Sequence, residues 1–233
     1  MKTGLGRRAA GIFAACLLFL TGCRSVQPAP ADQVVASLYE LTVQDRAVPL
    51  KEALGAGSVR EVRELFPEEE QGVRASLRGE FETWCGDFKL GYTEEELKEL
   101  SAAIDLLLER MTASASLKEE KNGKAVVELK IRRVSRSALD EAWERIGRET
   151  MDGLDEETVG KIAAGDEEAI TALLRREVAL FMEELGEMEP DGESVLLVEC
   201  RKRELVIGGR KRSVWLPVSM QALRQAVEEA LFS

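Results

Sequence analysis

Asn122-Gly123 stands between two runs that read as extended chain, within ASLKEEKNGKAVVELKI (115–131). An Asn-Gly pair tolerates the left-handed backbone that a two-residue hairpin turn demands at both central positions. Val127, Leu129 and Ile131 alternate with Glu128, Lys130 and Arg132. That period of two buries one sheet face and leaves the other wet. A second hairpin is expected from Ser194 to Ile207, through a Gly208-Gly209 turn, and from Lys211 to Val218. The two hairpins imply a small antiparallel sheet that must be packed by helices, an α+β fold.

Helical periods fill the rest. Asp32 to Gln44 places Val34, Val35, Leu38 and Leu41 at helical spacing behind a capping Asp. Ser58 with Glu61 reads as a capping box, followed by Val62, Leu65 and Phe66 and a break at Pro67. A second stretch runs to about Cys85. Thr93 with Glu96 is a cleaner box, opening a helix on Leu97, Leu100, Ile104, Leu107, Leu108 and Met111. Helical signals return from Ser137 and around Asp155–Ala163. Asp166 then caps a strong helix bearing Ile170, Leu173, Leu174, Val178, Phe181 and Leu185. Pro190-Asp191-Gly192 is a turn, and Ser219 caps a last helix on Leu223, Val227 and Leu231. Residues 32–233 form one domain on this reading, with a weak internal repeat over about 58–134 and 137–218.

The N-terminus has a different logic. Lys2, Arg7 and Arg8 precede an apolar run from Ala9 to Leu20, too short for the roughly 20 residues a spanning helix needs. The pattern suits a secretory signal over residues 1–22. Leu20-Thr21-Gly22-Cys23 resembles the lipobox of bacterial lipoproteins. That resemblance implies cleavage between Gly22 and Cys23, acylation of the Cys23 thiol, and residence on the outer face of the cytoplasmic membrane. With Cys23, the proline-bearing stretch from Arg24 to Ala31 makes residues 23–31 a tether, because two prolines and small residues hold an extended spacer. Two buried acyl chains anchor stably where one does not.

Composition excludes much chemistry. Histidine is absent, which removes the commonest general base and the commonest zinc ligand. Formal net charge is −11, and it falls to −14 when Lys2, Arg7 and Arg8 leave with the signal. Nucleic acid is therefore disfavoured as a partner. No phosphate-binding glycine motif occurs, and 152–160 (DGLDEETVG) and 189–194 (EPDGES) lack the ligand spacing of a calcium loop. No metal and no cofactor is expected. Glu80, Glu82 and Asp87 surround Trp84, the one grouping that suggests paired-carboxylate glycan chemistry; a helix end with a buried Trp is the simpler reading. Cys85 and Cys200 remain after processing, either bonded in an oxidising exterior or present as two small buried hydrophobes.

Six cations crowd the second hairpin: Arg201, Lys202 and Arg203, then Arg210, Lys211 and Arg212 across the turn. They either grip anionic wall polymer, lipid headgroups or an acidic protein, or pair with the acidic helices and blunt an edge strand.

The lipobox, "LYELTVQDRA", "KNGKAVVELKI" and "VIGGRKRSVWLPVS" together resemble Gram-positive lipoproteins with DUF5105-type domains of unknown function, with Gly208, Gly209 and Trp215 matching the charged turn before a Trp-bearing strand. The likeness spans roughly residues 32–231. It implies an α+β fold and a monoderm, Firmicutes-like origin, and it brings no catalytic residues. The expectation is a membrane-anchored envelope lipoprotein acting as a non-enzymatic binding or adaptor module, with a carboxylate enzyme on glycans or a substrate-binding uptake protein as alternatives.

Overall fold

The computed structural model describes residues 29–67 and 72–233. Both turns have the expected chemistry. Asn122 and Gly123 lie at φ 51° and 72°, and Gly208 and Gly209 at 59° and 71°. Positive φ at both central positions is the type I′ signature that matches strand twist. The strands are β1 (Ala113–Lys121), β2 (Lys124–Arg133), β3 (Gly192–Ile207) and β4 (Arg210–Pro217), in the order β1-β2-β3-β4 and antiparallel throughout. β2 and β3 join the hairpins into one sheet, in a register running from Lys124↔Arg201 to Arg133↔Gly192.

Register decides the faces. Ala125, Val127, Leu129 and Ile131 are buried, and Val198 and Cys200 share their face as the partners of Val127 and Ala125. On the opposite face Val195 and Leu197 are exposed, flanked by charge. A bulge between Leu117 and Glu119 interrupts edge strand β1, and Lys118 Nζ reaches across to Glu128 Oε1 at 2.8 Å. Charges and a bulge at an edge discourage pairing with other chains.

Among the described residues the helices are α1 (Ala31–Gln44), α2 (Ala47–Leu54), α3 (Val59–Leu65), α4 (Val73–Asp87), α5 (Glu94–Arg110), α6 (Arg136–Asp152), α7 (Glu156–Ala163), α8 (Glu167–Glu187) and α9 (Met220–Leu231). None is long and apolar enough to cross a membrane. α1 begins at Ala31, which is fully buried; Asp32 sits in its first turn instead of capping. α1 is buried over most of its circumference, including Ser37, Tyr39 and Gln44, with only Gln33 exposed and Asp32, Ala36 and Glu40 half-buried. Such a helix belongs inside a fold, and its polar groups are satisfied. Ser37 Oγ donates to Gln33 O at 2.8 Å, Tyr39 Oη to Met111 O at 2.7 Å, and Gln44 Nε2 to Leu108 O at 3.1 Å. α1 packs against α2, β1, β2 and β4.

Besides Asp32, one further expected cap is corrected. As expected, Thr93 and Glu96 form the reciprocal box and Asp166 and Ser219 accept from their helices; Ser135 and Asp155 are further caps, not singled out from the sequence. Ser58 Oγ accepts from Glu61 N at 3.2 Å, but the Glu61 carboxylate does not return to Ser58. It accepts instead from Gly57 N at 2.8 Å and from Gly208 N, pinning the second hairpin turn to the start of α3. These two backbone donors, Gly208 first, hold its carboxyl below the usual range. A depressed folded pKa contributes stability above the unfolded value that is lost as pH falls through the folded one. Glu61→Gln is therefore expected to lower the urea midpoint near neutral pH. Its gap to wild type should close on acidification through the carboxylate range. A gap constant with pH would show that the carboxylate's charge is irrelevant there.

α5 buries Leu100, Ile104, Leu107 and Leu108 as its spacing demands. α8 departs from expectation. Of its six-residue apolar stripe only Val178 and Leu185 are buried, the others being half-buried. α8 packs on α5 and α6, and α4 packs on α5. The flank between α4 and α8 is left open.

Candidate functional site

That open flank is a cleft. α4 contributes Val73, Ser76, Leu77, Glu80, Phe81 and Trp84 to its wall, a spacing of i, i+3, i+4, i+7, i+8 and i+11. α8 contributes Glu177, Phe181, Glu184 and Leu185 on the matching period, with Met188 just past its end. The α4 stripe is three turns long, about 16 Å, and the α8 stripe a little over two turns, about 12 Å. α6 supplies Leu139, Ala142, Trp143 and Ile146, and the C-terminal segment adds Glu228, Glu229 and Phe232. The space has a lobe of about 520 Å³ toward α6 and α9 and one of about 220 Å³ toward α5. Leu77, Glu80, Trp143, Phe181 and Leu185 line both.

Aromatic rings bridge the helices across it. Trp143 stacks on Phe181 with centroids 5.3 Å apart and 19° between planes, and Phe181 lies 6.5 Å from Phe81 at 13°. Trp84 follows 6.3 Å from Phe81, and Phe88 5.3 Å from Trp84. Pairs in these geometries each add about 0.5–1.5 kcal/mol beyond their area burial. The row is unfinished at both ends, where Trp143 is 46% and Phe88 50% exposed.

The rim is acidic. Arg145 grips Glu184 with two bonds, Nε to Oε1 at 2.9 Å and Nη2 to Oε2 at 2.7 Å. These bonds hold the Glu184 carboxyl below its ordinary range. Glu80, Glu177, Glu228 and Glu229 make no ion pair among the described residues. Beyond Ile146 the rim continues into a small recess of about 110 Å³ with Glu149, Glu183 and Glu187 on its walls. An apolar floor under unneutralised carboxylates suits a ligand that is greasy on one side and cationic on the other.

The residues singled out from the sequence are dispersed. Of the carboxylates around Trp84, Glu80 lines the cleft, Glu82 is held by Arg78 Nε at 2.8 Å, and Asp87 lies at the end of α4 outside the lining. The loops at 152–160 and 189–194 are used as caps. Asp155 Oδ1 accepts from Thr158 N at 2.7 Å, and Asp191 Oδ1 from Ser135 N at 2.6 Å. Among the described residues no cluster of three or more acidic or cysteine side chains is placed to hold a metal ion.

The basic hairpin is split by strand alternation. Arg201, Arg203, Arg210 and Arg212 fall on one face and Lys202 and Lys211 on the other. Lys202 Nζ lies 4.7 Å from the Trp215 ring and 3.7 Å from Glu120 Oε1, and Lys211 Nζ lies 3.7 Å from Glu204 Oε2. Arg203 Nη2 donates to Val218 O at 2.9 Å, and Arg212 is half-buried near Glu61.

Cys85 and Cys200 are free buried thiols and form no disulfide. Cys85 belongs to the helical layer, with Glu96 and Arg175 as charged neighbours; Cys200 faces inward from β3 between Ala125 and Pro217. The lipobox with Gly22 and Cys23, the signal over residues 1–22 and the tether through residue 28 lie outside the described residues.

No protein-family model matches the chain, and no curated protein sequence matches it. Neither comparison shows the DUF5105-type resemblance expected from the motifs. The crystal structure of ycdA from Bacillus subtilis, a protein named as a lipoprotein, superposes with a TM-score of 0.53 at 15% identity. The match covers 87% of this chain and 56% of that one, so the chain spans a little over half the length of its structural neighbour. At this identity the likeness is one of fold.

The cleft was missed from the sequence, although a signal existed. Aromatic residues are scarce, at 5% of the chain, yet Phe81, Trp84, Trp143 and Phe181 fall on facing sides of three helices.

Proposed function

We propose that this chain is a lipid-anchored protein of the cell envelope, on the extracytoplasmic face of the membrane, working as a non-enzymatic binding or adaptor module. The observation that carries the binding role is the cleft itself, which has an aromatic floor and an acidic rim. Its carboxylates, Glu80, Glu177, Glu184, Glu228 and Glu229, are spread over α4, α8 and α9. The anchor is supported by the lipobox at Cys23 and by the name of the structural neighbour. Glycan hydrolysis has less support, since Glu80, Glu82 and Asp87 do not converge. The hairpin cations offer a weaker surface, because the two lysines already engage Glu120, Trp215 and Glu204.

The test is Cys23→Ala with an acyl-chain label and membrane fractionation. Wild type should take the label and sediment with membranes. The variant should take none, and be released or left unprocessed. Normal labelling of the variant would overturn the anchor.

A further inference from the structure

The cleft is a groove with an aromatic floor, bordered by helices on several sides. Helix bundles close when each apolar stripe meets another, and here the stripe on α4, three turns long, and that on α8, a little over two, border a cleft that no other element among the described residues fills. Trp143 and Phe88, half exposed at the ends of the ring row, are rigid apolar anchors of the kind that dominate interface energies. A single small cation needs one or two carboxylates. This rim distributes Glu80, Glu177, Glu228 and Glu229 over α4, α8 and α9, without a cationic partner among the described residues. Charge spread over three helices matches a ligand that carries several cations rather than one.

Resting on the binding role proposed above, we infer that the cleft between α4, α6 and α8 receives a basic amphipathic helix of a partner protein, about three turns long, with its apolar face on the Trp143–Phe181–Phe81 row and its Lys or Arg residues against the acidic rim. This is helix-in-groove recognition, read as i, i+3, i+4 and i+7 anchors. A second copy of this chain fits poorly, because its basic element is a β-hairpin and its surface charge is of the same sign.

The experiment uses the full processed chain in phosphatidylcholine nanodiscs, titrated calorimetrically and by tryptophan fluorescence. The probes are a Leu/Lys amphipathic peptide of about four turns, its Leu/Glu counterpart, and benzyltrimethylammonium. The Leu/Lys peptide should bind with a blue shift, and binding should weaken markedly as salt rises. Trp143→Ala should weaken it by on the order of tenfold or more. Glu80→Lys with Glu229→Lys, both at exposed sites, should weaken it comparably at low salt while the thermal transition stays in place. Equal binding of the Leu/Glu peptide would overturn the inference. So would binding of benzyltrimethylammonium alone, concentration-dependent self-association that occludes the cleft, or no binding at all. Failure of the chain to enter nanodiscs would instead count against the lipid anchor, and the same titration in buffer would still decide the cleft.

Discussion

Tyr39→Ala is expected to lower the unfolding free energy by about 3–5 kcal/mol, the range for truncating a large buried aromatic. Tyr39 is 2% exposed on a largely buried helix, and its hydroxyl donates to Met111 O at 2.7 Å, tying α1 to the end of α5. The loss is large against a typical stability of about 5–15 kcal/mol. Tyr39→Phe separates the two contributions. It keeps the ring and removes the O–H, and Met111 O still has Gln44 Nε2 at 3.4 Å, so about 1 kcal/mol is expected. Urea unfolding of the three proteins decides it. A cost below about 1 kcal/mol for the alanine variant would show that α1 is not the core helix.

That core helix illustrates what the sequence conceals. Local chemistry was legible: the Asn122-Gly123 and Gly208-Gly209 turns, the Thr93–Glu96 box, the Asp166 and Ser219 caps, and the alternation that buries Val127, Leu129 and Ile131. Each depends on residues within a turn or two of one another. The pairing of β2 with β3 joins segments some 60 residues apart, and no local pattern sets its register. Val34, Val35, Leu38 and Leu41 mark one side of α1 as apolar. Nothing in that spacing says that Ser37, Tyr39 and Gln44 are also enclosed, because their burial depends on distant acceptors at Met111 and Leu108. α2 escaped notice because AVPLKEAL is too short to establish a period. The cleft was hidden for the complementary reason. Periodicity shows that α8 has an apolar side but not whether any element of the chain covers it. Glu61 shows a third limit: its position three residues after Ser58 signals a capping box, yet a tertiary donor, Gly208 N, captures the carboxylate.

Alkylation of the native protein should find both Cys85 and Cys200 nearly inert, and denaturation without reductant should release two reactive thiols. The reasons differ in strength. Burial pushes the Cys200 thiol up to about 11 from its ordinary 9.0, which cuts its thiolate fraction about 100-fold at neutral pH. It is also only 1% exposed, so the reagent must await an opening of the sheet. Cys85 is 2% exposed and is raised by burial first and by Glu96 second, with Arg175 opposing. Its helix, α4, forms one wall of the open cleft and packs on α5, whereas Cys200 lies in β3 between two paired strands. Local openings follow packing, so Cys85 should label faster than Cys200 under native conditions. A mass shift of two alkyl groups only after reduction would mean a disulfide and would overturn this structure's separation of the two layers. Rapid labelling of Cys200 in the folded protein would mean that the inner sheet face is not closed. If the cleft takes a helix as inferred, saturating Leu/Lys peptide should slow labelling of Cys85 and leave Cys200 unchanged, because only the α4 wall gains a partner.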